Sequence, residues 1–227
     1  MRPPNSRDYN YSTMLERLTV GPIGENAYVL LYDSSCLLVD PGDEAPRILS
    51  FLDSRDLVPS LIVATHGHLD HTAAIPELRA AWSARGREVP IAAHTEDADY
   101  FGAKGEETNR RLFASIRALS YFKAYWRPLP SPDFLLSDGD ILPGSSYRVI
   151  HSPGHTRGSI CLYDAAASIL VSGDTLFRDG VGRTDGPDSD PIALETSLKR
   201  LFALPPETRV FPGHGEETTV GREAEAC

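Results

Sequence analysis

Apolar residues recur along the chain with two spacings, and the places where one gives way to the other mark the predicted elements. Runs of strand length fall at 26–32 (NAYVLLY), 36–40 (CLLVD), 61–65 (LIVAT) and 89–94 (VPIAAH). The first two, parted by Asp33, Ser34 and Ser35, read as a hairpin. LIVAT is an unbroken apolar run and reads as a buried strand. Helical spacing fills the gaps. Ile48, Leu49 and Leu52 mark a helix within 45–56, and 72–86 reads as another, with Pro76 near its first turn and Gly86 as its stop. In 106–126, Leu112, Phe113, Ile116, Leu119 and Phe122 fall on one face of a predicted long helix. The second half returns to strands at DFLL, YRVIHS, SICLYD and SILVSG, then a helix at about 190–203 and a last strand, RVFPG, at 209–213. Turn clusters such as 137–140 and 164–166 separate them. A sheet with helices from each half predicts an α/β (α+β) fold with four αββα layers. No linker or internal repeat divides the chain, so a single domain is expected over 1–227, with a helical insertion at about 99–130.

Composition narrows the partners. The 227 residues are 41% hydrophobic and 24% charged, the balance of a globular protein that can bury a full core. Lys and Arg number 22 against 32 Asp and Glu, for a net charge of −10. That charge argues against nucleic-acid binding by phosphate neutralisation, while a local pocket for a small anion stays open. No apolar run approaches the ~18–20 residues needed to span a bilayer, and residues 1–7 lack the apolar core of a secretion signal. No membrane partner and a cytoplasmic location are therefore expected. Three cysteines are too few, and odd in number, for a disulfide framework. Cys36 and Cys161 sit in apolar runs and are expected to pack as small hydrophobes, while the terminal Cys227 is expected to fray.

The seven histidines change the picture because they are clustered. ATHGHLDHTA holds His66-x-His68-x-Asp70-His71. Residues i and i+2 of an extended segment point to one side, so His66 and His68 can grip one ion together. Asp70 and His71 fall where the chain turns into a helix and swing toward a second position. Three more strand ends share one syntax, an apolar run, a relieving Gly and a donor side chain: His155 after YRVIHSPG, Asp174 after ILVSG, His214 after RVFPG. With His66 after LIVAT, four strand ends present donors, as loops on a rigid scaffold do in active sites. Five histidines and two aspartates suffice for two divalent ions if one carboxylate bridges them. Imidazole and carboxylate suit zinc first, with iron or manganese permitted. Two such ions outweigh the two aspartates and a bound hydroxide, so the cluster is net positive and suited to an oxyanion. Water on such a metal ionises near pH ~7 and needs no Ser or Cys nucleophile. No G-x-S-x-G elbow or Walker A pattern competes.

THGHLDH, HSPGHTRGS, SGDTLF and FPGHGEET resemble the successive motifs of the metallo-β-lactamase-fold hydrolases, and NAYVLLYDSSCLLVDPGDE resembles that fold's opening hairpin. The resemblance spans about 18–220. SGDTLFRDGVGRTD most resembles the glyoxalase II-like (hydroxyacylglutathione hydrolase-like) group. The resemblance implies His66, His68 and His155 on a first metal, Asp70, His71 and His214 on a second, and Asp174 bridging them. It implies Asp40 as a carboxylate supporting a ligand histidine, and places Arg183 where the group often holds a basic residue for the substrate's carboxylate. An alternative for Asp40 is a plain turn residue, and for Arg183 a surface pair with Asp185 or Asp188. The implied reaction is hydrolysis of an acyl-thiol of the S-2-hydroxyacylglutathione type by a metal-bridging hydroxide that Asp70 orients. The expected assembly is a monomer or homodimer.

Two alternatives remain at this point. Persulfide dioxygenases resemble the group closely and use one iron, for which His66, His155 and Asp174 could form the triad; another ester or lactone could be the hydrolytic substrate. Full-length glyoxalase II enzymes carry a helical glutathione-binding region after the last metal histidine, whereas 13 residues follow His214 here, so glutathione does not carry over on resemblance alone. The stretch between His94 and Asp133 is instead long and rich in aromatics, expected to pack the extra helix, to wall a substrate pocket or to form a dimer surface. His94 and His151 match no metal position and are expected in structural or supporting roles.

Overall fold

The computed structural model describes residues 15–32 and 35–226. The first sheet has six strands in sequence order: β1 (Leu15–Val20), β2 (Glu25–Tyr32), β3 (Ser35–Val39), β4 (Leu61–Val63), β5 (Ile91–His94) and β6 (Phe134–Leu136). The first two pairings are antiparallel and the rest parallel. β2 and β3 form the expected hairpin in the register Tyr32↔Ser35, with Asp33 and Ser34 of its turn outside the described residues, as is Cys227. The second sheet takes β7 (Arg148–His151), β8 (Ile160–Asp164), β9 (Ile169–Gly173), β12 (Arg209–Pro212) and β13 (Thr218–Thr219) in the order β13-β12-β9-β8-β7. A two-stranded ribbon, β10 (Leu176–Phe177) with β11 (Gly180–Val181), lies between them in sequence.

Strand periodicity sorts the core into layers. Ala27, Val29, Cys36 and Leu38 face α1 (Ala45–Asp53), α3 (Ile75–Ser83), α4 (Gly102–Ser115) and α5 (Leu119–Tyr125). Their neighbours Tyr28, Leu30, Leu37 and Val39 face the other way, onto Val149, Ile160, Leu162, Val171 and Phe211 of the second sheet. The outer face of that sheet, through Cys161, Leu170 and Val210, packs on α6 (Pro191–Leu201) and α7 (Val220–Ala226). Three apolar cores between four layers make the expected αββα sandwich. Cys36 and Cys161 are buried within it, and burial pushes both thiols up to about 11. Among the described residues, no helix is long and apolar enough to cross a membrane.

Two expectations need correction. The helix foreseen over 72–86 is the shorter α3 (Ile75–Ser83), with Pro76 in its first turn as expected, and a separate single turn, α2 (Leu69–Thr72), precedes it. The helix foreseen over 106–126 is broken between α4 and α5 at Arg117, whose φ of 60° is left-handed. The Ala118 N–H donates to the Phe113 carbonyl at 2.7 Å and that of Arg117 to Ala114 at 3.2 Å, the closure of a helix C-terminus. Glycine normally announces this position, and arginine there conceals it. As a result Leu119 leaves the apolar face and is 40% exposed.

Candidate metal centre

Four strand ends converge at one edge of the sandwich. The chain leaves β4 through Ala64 and Thr65 to His66 and His68, and α2 then carries Asp70 and His71. β7 leads to His155, β9 ends at Gly173 beside Asp174, and β12 ends one residue before the Gly213-His214 pair. Gly213 has no alternative: a Cβ there would collide with Asp174 Oδ1 and the His71 ring. β2 holds the same loop from the first sheet, through the Asn26 amide to the Pro212 and Gly215 carbonyls (3.0 and 2.9 Å) and the Tyr28 hydroxyl to Pro212 (2.7 Å).

The side chains bring their donor atoms into two sets. One is His66, His68 and His155; the other is Asp70, His71 and His214; within each set the atoms lie within 4.8 Å of one another. His155 Nε2 is 3.0 Å from His68 Nδ1, and His214 Nε2 is 3.2 Å from Asp70 Oδ2. Asp174 stands between the sets, its Oδ1 3.4 Å from His71 Nε2 and its Oδ2 3.6 Å from His155 Nε2. Donors sharing a tetrahedral ion at ~2.1 Å stand about 3.4 Å apart, which is the spacing seen. Three buried donors, His66 Nε2, His71 Nε2 and Asp174 Oδ1, find no hydrogen-bond partner in the protein. Such orphans cost ~1–3 kcal/mol each unless something else takes the lone pair. A divalent cation does so, and the donor set fits one at each position.

Protonation divides the donors: burial works against a charge on His71, but Asp174 and Asp70 beside it outweigh that and raise its pKa well above the ordinary value. Burial, and then the neighbouring imidazoles, hold His66 well below its ordinary value and bring His68 down to about 3, so both are neutral with free lone pairs. Burial opposes ionisation of Asp70 and Asp174. The adjacent His71, with His214 hydrogen-bonded to Asp70, outweighs it and keeps both carboxylates below the usual range.

The far ring nitrogens are anchored. His71 Nδ1 pairs with Asp40 Oδ2 at 3.0 Å, His155 Nδ1 with the Arg183 carbonyl at 2.9 Å, and His66 Nδ1 with the Thr65 hydroxyl at 3.2 Å. Asp40 also accepts from the Thr65 N–H and hydroxyl at 2.7 and 2.6 Å, and it sits in left-handed backbone with φ 49°. Asp40 groups with His66 and His71, and its Oδ2 is engaged by Thr65 and His71. Arg183 reaches the centre through its carbonyl. Its guanidinium instead forms a bidentate pair with Asp185 at 3.0 and 2.7 Å.

Sequence reasoning missed three residues here. Asp97 is 1% exposed and accepts from the Gly67 N–H (2.8 Å), the Thr156 hydroxyl (2.8 Å) and the Gly158 N–H (2.7 Å). One carboxylate thus ties the loop carrying His66 and His68 to the loop carrying His155. Burial raises its pKa and these hydrogen bonds oppose the rise. An acidic residue in a first helical turn ordinarily reads as capping, which hid it. Asn26 holds the His214 loop, as above. Glu25, 1% exposed, brings Oε1 within 3.7 Å of His71 Nδ1, and burial pushes its carboxyl well up.

His94 and His151 lie elsewhere. Their rings stack at 3.9 Å and 15° between β5 and β7. His94 Nδ1 accepts from the Glu96 N–H and His151 Nε2 pairs with the Arg157 carbonyl.

A model of the metallo-beta-lactamase superfamily matches residues 20–214. The chain is 33% identical over 206 residues to a probable metallo-hydrolase, YqgX, of Bacillus subtilis (strain 168), covering 90% of this chain and 91% of that one. It is 30% identical over 222 residues to the hydroxyacylglutathione hydrolase GloC of Haemophilus influenzae, covering 92% and 94%. A crystal structure of TTHA1623 in a di-iron-bound form superposes with a TM-score of 0.79 at 37% identity, over 93% of this chain and 98% of that one. The chain belongs to the metallo-beta-lactamase superfamily. Its clustered histidines and aspartates form a dinuclear metal-binding site, and the protein is a metal-dependent hydrolase.

Proposed function

We propose that the chain hydrolyses thioesters of small acylated thiols, of the S-2-hydroxyacylglutathione type, with His66, His68 and His155 at one metal, Asp70, His71 and His214 at the other, and Asp174 shared. The observation that carries this reading is the position of Asp174, one carboxylate oxygen toward each donor set. The likeness to GloC supports the thioester class, and the likeness to TTHA1623 adds iron to zinc as a metal to test. When bound, two such ions supply Lewis acidity and bring the pKa of water near ~7. Asp70 stays ionised, and its carboxylate oxygens accept a hydrogen bond from the attacking water and so orient it. The reaction forms a bond from the water oxygen to the acyl carbon and breaks carbon–sulfur; the sulfur leaves with the electron pair and takes up a proton. Arg183, exposed at the cavity mouth, meets the thiol's carboxylate by exchanging Asp185 for it.

The test is thiol release from S-lactoylglutathione by protein reconstituted with zinc or with iron. Steady turnover that a chelator abolishes is the expected result. Metal-loaded protein that releases no thiol from this or any other acyl-thiol overturns the proposal.

A further inference from the structure

A cavity of about 460 Å³ opens over the cluster, with two unlike sides. Its floor is made by His68, Asp70, His155, Asp174 and His214 of the donor sets. Its wall is apolar, made by Leu112, Phe113 and Ile116 from the end of α4, Tyr121 from α5, Ile23 from the β1–β2 turn and Phe177 from β10. The wall exists because α4 stops where it does: Ile116 and Ala118, on either side of the left-handed Arg117, both line the cavity. Phe113 and Tyr121 stack at 5.5 Å and 13°, bracing the two helices against each other. Ile23 is 54% exposed and completes the apolar wall from the β1–β2 turn.

Charge decides what lies against this wall. Arg183 is the one cation among the described residues lining the cavity, and Asp185 neutralises it with both contacts. The thiol arm of a glutathione thioester carries two carboxylates and an ammonium. Laid along Leu112, Phe113 and Ile116, these would be stripped of water with no partner in exchange, which is strongly unfavourable. The substituent on the acyl carbon carries no charge and gains from the same surface. The arm is therefore left to the Arg183 side and to solvent.

We infer that the wall built by α4 and α5 is an acyl-side specificity pocket, and that the preferred thioesters carry a bulky apolar or aromatic substituent on the acyl carbon. This inference rests on the thioesterase reading above. S-lactoylglutathione and S-mandeloylglutathione test it, because they share the thiol and the 2-hydroxyacyl group and differ as methyl against phenyl. The metal-loaded protein is expected to favour the mandeloyl ester in kcat/KM by ~10-fold or more, the range a well-filled apolar pocket provides. Ile116→Asp and, on the exposed turn, Ile23→Asp are each expected to cut that ratio several-fold. Measuring the change in the ratio removes the difference in intrinsic reactivity between the esters. Turnover of both esters with the lactoyl ester favoured, or with a ratio that neither variant moves, overturns the pocket and leaves the thioesterase reading standing. Failure to hydrolyse either ester, or any other acyl-thiol, overturns both.

Discussion

The molecule has two groups of histidines at the ends of its strands, and they differ in where their nitrogens go. At the centre, His66, His71 and His155 each spend the far nitrogen on an anchoring group and turn the near one inward, where His66 Nε2 and His71 Nε2 have no protein partner. At the other group, His94 and His151 lie face to face, and one nitrogen of each is committed to the backbone. Ring stacking at 3.9 Å points the lone pairs along parallel planes, so they cannot converge on an ion. Residue type and strand-end position are common to both groups. An inward, unsatisfied donor beside an anchored one is what distinguishes a ligand from a packed imidazole.

Substitutions can break this contrast, beginning with the largest effect. Asp174→Ala removes the one group facing both donor sets. Bound metal is expected to fall to one ion per chain or fewer and hydrolysis by more than ~100-fold; elemental analysis and the thioester assay read both, and unchanged metal content contradicts the shared role. Asp97→Ala leaves the Gly67 and Gly158 N–H groups and the Thr156 hydroxyl without their carboxylate. A stability loss of about 3 kcal/mol is expected from orphaning these donors, with metal affinity at the His66, His68 and His155 set weakened ~10-fold or more. Thermal unfolding of the metal-free protein and metal titration separate the two. Arg183→Ala keeps the carbonyl that anchors His155, so metal content should hold while KM rises several-fold at little cost in kcat. A parallel loss of metal would show that the side chain, not the backbone, orients the histidine.

The smallest effect belongs to the stacked pair. Burial, and then His151, hold the His94 pKa below its ordinary value. The unfolded chain therefore binds this proton first as pH falls through ~6.5. The stability linked to His94 is complete above that pH and is lost as the pH drops toward the native pKa. His94→Phe should flatten the decline of Tm between pH 7.5 and 5.5 without touching metal content at pH 7.5; an equally steep decline in the variant removes the linkage.

Much of this was legible in the chain itself. The αββα layers followed from strand runs with helices in each half of the chain, and in the structure β2 and β3 are covered by helices on one side and by the second sheet on the other. The candidate donors came from two signals, a repeated strand-end syntax for His66, His155, Asp174 and His214 and the His-x-His-x-Asp-His spacing for His68, Asp70 and His71. Three features stayed hidden for physical reasons. The break at Arg117 uses a left-handed residue that carries no glycine signature. Asp97 acts across 59 and 61 positions, on Thr156 and Gly158, so nothing local marks it. The Arg183 carbonyl anchors His155, and a carbonyl has no sequence signal.

In the proposed site the two donor sets hold one ion each and share Asp174. Counting zinc, iron and manganese per chain in the purified protein, before and after dialysis against each metal, tests it most directly. Saturation at two ions per chain, falling to one or none in Asp174→Ala, is the expected result. Saturation of the wild-type protein at a single iron, retained when His214 and His71 are both replaced by alanine, contradicts it.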